Sequence, residues 1–141
     1  MLSIGARSMM LTTLLLFCLS ACVDAVEVDH PFYVAFVPDS SERALYRCTN
    51  GPDRGCAIDG LPGPDVIAAG ANEKFVVEER KISSGSETRI RYYYFERIPN
   101  EARGYGMPPG PERIIGPLTE EEFESVSERL LLPPMSVTFE R

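Results

Sequence analysis

Hydrophobic positions along the chain fall into short runs separated by turn residues, and these runs predict β-strands. Phe32–Val37 is an aromatic and β-branched run followed by turn residues at 38–40. It is apolar on both faces, which favours a central strand. Arg43–Cys48 predicts a second strand, and weaker runs predict short strands around 56–58, 66–68 and 113–115.

The clearest β-hairpin pattern covers residues 73–98, where EKFVVEERKI and TRIRYYYFERI flank SSGSE. A two-residue turn at Ser84 and Gly85 places Glu78 opposite Arg91 on one face. The other face then carries Phe75, Val77, Ile90, Tyr92 and Tyr94. A slip of one residue would exchange the two faces.

Residues 119–131 carry the signals of an α-helix. Thr119 is the expected N-cap, Glu122 completes a capping box, and Leu118 with Phe123 forms a hydrophobic staple. A stripe for packing on the sheet is formed by Phe123, Val126, Leu130 and Leu131. Prolines at 133 and 134 end the helix, and residues 135–139 predict an edge strand. The predicted fold class is α+β, a mainly antiparallel sheet with one C-terminal helix packed on it.

The first 21 residues follow a different pattern. Arg7 precedes an apolar run from Met9 to Leu19, which is too short to span a hydrocarbon core that needs about 20 residues. A basic start, a short apolar centre and small residues before a boundary are typical of a secretory signal. The alternatives are a buried N-terminal core helix and a signal that is cleaved elsewhere.

The four residues LSAC, ending at Cys22, resemble a bacterial lipobox. The resemblance implies cleavage before Cys22, a diacylglyceryl group on its sulfur and an amide-linked acyl chain such as palmitate. Two or more chains hold a protein stably at a membrane. In lipoproteins of this kind an Asp directly after the cysteine commonly retains the protein at the inner membrane. Here Val23 follows, so the resemblance implies the bacterial outer membrane, with the protein facing the periplasm.

These patterns divide the chain into a signal peptide (1–21), a lipidated cysteine with a short acidic tether (22–30) and one globular domain (31–141). The 120 residues after Ala21 are enough for one domain with its own core. Residues 23–30 reach at most about 26 to 29 Å, so the domain should stay close to the membrane.

Charge and cysteine content narrow the picture further. After Ala21 the chain has 13 basic and 21 acidic residues, a net charge of −8. A chain with this charge is not expected to bind nucleic acid. The excess of acidic residues keeps the domain soluble or favours binding to a basic partner. With Cys18 removed and Cys22 lipidated, Cys48 and Cys56 are expected to form a disulfide in an oxidising compartment. A redox pair or half of a metal site is the alternative.

The sequence offers little for catalysis. His30 is the one histidine, and no nucleophile, phosphate-binding, zinc-protease or EF-hand motif is present. Paired carboxylates at Glu78, Glu79 or Glu96 could cleave glycosides, but Glu78 and Glu79 face opposite ways on a strand. We therefore predict no catalytic residue, no metal, no cofactor and no small-molecule ligand.

A binding surface is the remaining candidate. Arg89, Arg91 and Tyr93 combine guanidinium and aromatic groups of the kind enriched at interfaces, and Tyr105 lies in a long Gly- and Pro-rich loop. The alternative is an ordinary solvated sheet face. We predict a non-catalytic envelope lipoprotein that binds another envelope protein, either as an accessory subunit of an assembly or as a protector against an exported toxin. The rival functions are a small cell-wall-directed enzyme and a solute-binding module.

Overall fold

The computed structural model describes residues 24–56, 61, 63–98 and 113–139. In these residues the chain forms two antiparallel sheets and one helix, which confirms the α+β prediction. Three strands make the first sheet, in the order β1 (Val26–Asp29), β2 (Phe32–Phe36), β3 (Arg43–Arg47). Five strands make the second, in the order β7 (Ile115–Leu118), β6 (Glu87–Glu96), β5 (Phe75–Ser84), β4 (Val66–Ala71), β8 (Val137–Thr138).

The first sheet differs from the sequence prediction at its N-terminal edge. The segment that we expected to be tether contains β1, which pairs with β2 through Val26 opposite Val34 and Glu27 opposite Tyr33. The Tyr33 hydroxyl donates a hydrogen bond of 2.6 Å to Glu27 Oε2. Val28 packs against the core while Glu27 and Asp29 are exposed, and a bulge between these two acids interrupts the alternation of VEVD. The central position of β2 is confirmed.

The long hairpin of β5 and β6 forms as predicted, but its turn is displaced. Ser84 pairs with Glu87, so the turn is Gly85 and Ser86, and Gly85 takes a positive φ of 62° that suits glycine. Glu78 consequently lies opposite Tyr93 rather than Arg91. The displacement amounts to two residues in the pairing, so every side chain keeps its predicted face.

The core lies between the two sheets. Phe32 and Phe95 meet edge to face with ring centroids 5.6 Å apart, and Val34, Leu45 and Val76 are fully buried around them. Burial of these apolar side chains holds the three-stranded sheet against one face of β4, β5 and β6.

The helix α1 (Glu120–Leu130) packs on the opposite face of the five-stranded sheet. Its capping box is present, and the Phe123 ring stacks on Tyr92 with centroids 4.8 Å apart. The prediction that Leu131 joins the packing stripe is wrong. The helix ends at Leu130, and Leu131 takes a left-handed conformation that leaves it 79% exposed.

Candidate functional site

The end of the long hairpin extends past its neighbouring strands. Pairing of β5 with β4 ends at Arg80 opposite Val66, and pairing of β6 with β7 ends at Tyr92 opposite Leu118. Beyond these points β5 and β6 pair with each other as far as Ser84 and Glu87. We call residues 82–89 the hairpin tip. Its position makes it accessible to another molecule.

One face of the hairpin tip borders a groove of about 360 Å³. Pairing of Ile82 with Arg89 and of Ser84 with Glu87 puts these side chains on the same face, and Arg91 follows on that face two residues further along β6. The groove is lined by Ile82, Ser84, Glu87, Arg89, Arg91 and Pro117. It therefore combines apolar walls with two guanidinium groups, and we call it the arginine groove.

The two arginines of this groove are held differently. Arg89 forms an ion pair with Glu87 in which both side chains are mostly exposed, so it contributes little to stability. Arg91 is half-buried, and its Nη1 donates a hydrogen bond of 2.9 Å to the Ile90 carbonyl. A guanidinium carries five donors in a planar fork, which suits a carboxylate or an acidic peptide segment.

Tyr93 does not belong to the exposed surface, which corrects the prediction made for it. It is only 8% exposed, and the guanidinium carbon of Arg80 lies 5.3 Å from its ring centroid. Its ring also packs on Gly116, where a Cβ would come 2.5 Å from Tyr93 Cδ1. The structure thus brings Arg89 and Arg91 together and places Tyr93 inside. Tyr105 and Cys22 lie outside the described residues.

Glu78 is a buried carboxyl group that the sequence did not single out as such. It is 1% exposed, and neither carboxylate oxygen has a hydrogen-bond partner in the described part of the chain. Arg80 Nε lies 4.0 Å from Glu78 Oε1 but donates its hydrogen bond to the Pro64 carbonyl. Burial raises the pKa of Glu78 from 4.5 to about 8, against a smaller opposing effect of Arg80. Glu78 therefore carries its proton at neutral pH.

The carboxylates do not form the pair that glycoside cleavage needs. Glu79 follows Glu78 on β5 and lies on the opposite face of the sheet, while Glu96 pairs with Phe75 at the far end of the hairpin. Across residues 24–56, 61, 63–98 and 113–139, no three His, Cys, Asp or Glu side chains cluster as metal ligands.

The disulfide between Cys48 and Cys56 is present, as predicted, and it closes the loop after β3. Cys48 is fully buried and Cys56 is exposed. Within the described ranges, no helix is both long and apolar enough to cross a membrane. Comparison with known proteins finds no family model that matches the chain, and neither a curated protein nor a solved structure matches it.

Proposed function

We propose that this protein is a lipid-anchored protein of the bacterial envelope that binds another envelope protein through the arginine groove. The anchor is supported by the short apolar run followed by LSAC, with Cys22 as the lipidated residue. The observation that carries the binding role is the placement of Arg89 and Arg91 on one face of an extended hairpin, beside apolar Ile82 and Pro117. Arginine next to apolar surface is common at interface hot spots.

The position of the hairpin tip supports a partner at the same membrane. Arg43 lies over the rings of both Phe36 and Phe139, and Phe139 N donates to the Ile67 carbonyl near the start of β4. The start of β4 and the Phe36 end of β2 are therefore neighbours. The hairpin tip extends from this same end of the domain, where the chain enters through residue 25. A partner held at the membrane, as in an envelope assembly, fits this geometry better than one free in the periplasm.

One observation favours the rival function of a small enzyme. Glu78 holds a proton at neutral pH, as a general acid must. A catalytic acid must also reach its substrate, and both carboxylate oxygens of Glu78 are buried. The arginine groove is open to solvent without any rearrangement, so we favour binding.

The binding proposal is tested by affinity purification of the acylated protein from membranes, with Arg89→Ala and Arg91→Ala variants. We expect both variants to lose a partner that the wild type retains, and Arg91→Lys to recover it only in part because lysine lacks the planar fork. Arg129→Ala, an exposed arginine on α1, is the matched control. Recovery of the same partners by all four variants would refute the role of the groove.

The anchor is tested separately with Cys22→Ser. We expect this variant to remain uncleaved or to leave the membrane fraction, because the lipid would no longer be attached. Mass spectrometry of the wild-type N-terminus should find an acylated Cys22. Unchanged processing and membrane retention of the serine variant would refute lipidation at this residue.

A further inference from the structure

A second, apolar groove lies where the chain enters the domain. It has a volume of about 160 Å³ and is lined by residues that include Ala25, Phe36, Pro38, Tyr46, Pro52 and Cys56. The disulfide loop supplies one wall, because residues 52 and 56 belong to it. Phe36 is 39% exposed, a large fraction for an aromatic side chain at the end of a strand. We call this surface the entry groove.

The length of chain before β1 limits how far the entry groove can be from Cys22. Because β1 begins at Val26, only residues 23–25 separate Cys22 from the sheet. Three residues extend at most about 10 to 11 Å. With Cys22 acylated as proposed above, Ala25 and the groove beside it are confined to the membrane surface. The predicted tether of residues 22–30 would have allowed a greater distance.

We infer that the entry groove faces the bilayer and takes up phospholipid acyl chains at the membrane interface. This inference rests on the proposed lipid anchor. Phe36 offers an apolar ring, and the Arg43 guanidinium lies 4.3 Å from its centroid, where it can meet headgroup phosphates while the ring enters the hydrocarbon. Segments that lie in the membrane interface combine Lys or Arg on the polar side with Trp, Phe or Leu on the side that enters the lipid. The groove therefore orients the domain, whereas the lipid on Cys22 only tethers it.

The chain has no tryptophan, so one introduced tryptophan reports on a single position. Phe36→Trp places the probe in the entry groove of the acylated full-length protein. The protein is reconstituted into vesicles of phosphatidylethanolamine and phosphatidylglycerol, with or without bromine in the acyl chains. We expect the emission of Trp at position 36 to shift to shorter wavelength on reconstitution and to lose intensity in brominated vesicles.

The matched control is Leu131→Trp, another exposed apolar position. Leu131 lies toward the opposite end of the domain, because its carbonyl accepts a hydrogen bond from Asn72 Nδ2 and Arg97 joins Asn72 to Asp29, the last residue of β1. We expect a tryptophan there to emit as in water and to be unaffected by bromine. Circular dichroism of both variants checks that they fold as the wild type does.

The experiment separates failure of the lipid anchor from failure of the membrane contact of the entry groove. A protein that does not float with the vesicles refutes the anchor. A protein that floats but whose Trp at position 36 is neither shifted nor quenched overturns the membrane contact alone. A shift that appears without lipid and grows with protein concentration assigns the groove to a second copy of the chain, and it overturns the inference as well.

Discussion

Glu78 and Tyr93 are directly paired residues of β5 and β6, and both are buried. The pair lies between the hydrophobic core and the arginine groove on the same face of the hairpin. A carboxyl group in this place is costly when charged, since its oxygens have no hydrogen-bond partner within the described residues. The domain therefore tolerates Glu78 as a neutral acid and should become less stable when that acid ionises.

The first prediction concerns this ionisation. The pKa of Glu78 is 4.5 in the unfolded chain and about 8 in the folded one, so the folded state holds the proton more tightly. The contribution of Glu78 to the free energy of unfolding should therefore be most favourable below pH 4.5. It should fall as the pH rises and level off above about pH 8. Each unit of pKa difference corresponds to about 1.4 kcal/mol, so the full loss amounts to several kcal/mol. Glu78→Gln should remove this dependence and raise the melting temperature at pH 8 to 9.

Circular dichroism melting curves between pH 4 and pH 9 measure the effect. Glu87→Gln is the control, because Glu87 lies at the exposed hairpin tip. It should melt as the wild type does at each pH. If the melting temperature of the wild type changes with pH no more than the melting temperature of Glu78→Gln does, Glu78 is not a neutral acid in the folded protein.

The second prediction concerns the disulfide. Cys56→Ser changes an exposed residue and leaves buried Cys48 in place, so its main effect is to open the loop. Opening the loop between Cys48 and Cys56 should lower the free energy of unfolding by about 2 to 3 kcal/mol. Thermal melting with and without a reductant provides the control. The reductant should not change the melting temperature of Cys56→Ser, because that variant has no disulfide to reduce. Alkylation that finds both thiols free in the wild type would contradict the bond itself.

The third prediction concerns Gly116, whose φ is 140° and whose missing Cβ makes room for Tyr93. In Gly116→Ala the new carbon would lie 2.5 Å from Tyr93 Cδ1 and 2.7 Å from the Tyr92 carbonyl oxygen. We expect a loss of about 1 to 3 kcal/mol in the free energy of unfolding, beyond the cost of the backbone conformation. Urea denaturation measures it.

Gly85→Ala is the matched control for this change. Gly85 also has a positive φ, but no atom lies within 4 Å of the position a Cβ would take. Both variants carry a cost of backbone strain, which is larger at the φ of 140° of Gly116 than at the left-handed φ of 62° of Gly85, and only Gly116→Ala adds collisions, with the Tyr93 ring and the Tyr92 carbonyl oxygen. Equal losses in the two variants would show that Tyr93 does not pack against β7.

What the sequence predicted correctly depends on residues close together in the chain. The capping box needs only Thr119 and Glu122, three residues apart, and it forms as expected. The faces of the hairpin follow from strict alternation, so they survive a turn displaced from Ser84 and Gly85 to Gly85 and Ser86. The Cys48–Cys56 bond likewise closes within one loop.

What the sequence did not predict depends on segments far apart in the chain. Tyr93 is covered by Gly116 of β7 and by Arg80, and no pattern within β6 indicates that cover. Glu78 lies on the face of the hairpin that carries Val76 and Phe95, and this face packs on the three-stranded sheet, so no pattern within β5 indicates that Glu78 is buried. Strand β1 is an exception, because its partner β2 is adjacent in the chain: VEVD is half acidic, which favours a tether, and only its pairing with Val34 and Tyr33 makes it a strand.

The last prediction concerns Arg97, which joins the two sheets at the end of the domain opposite the hairpin tip. Its Nη1 donates to Asp29 Oδ2 and to the Asn72 carbonyl, and its Nη2 donates to the His30 carbonyl at 2.8 Å. The Arg97 side chain is only 11% exposed, although the Asp29 side chain that it contacts is 52% exposed. Arg97→Ala should lower the free energy of unfolding by about 1.5 to 3 kcal/mol, as expected for hydrogen bonds to a charged group. Exposed Arg89→Ala should change it by no more than about 0.5 kcal/mol, as is usual for a surface substitution. Urea denaturation that finds equal losses in the two variants would show that Arg97 does not hold the sheets together.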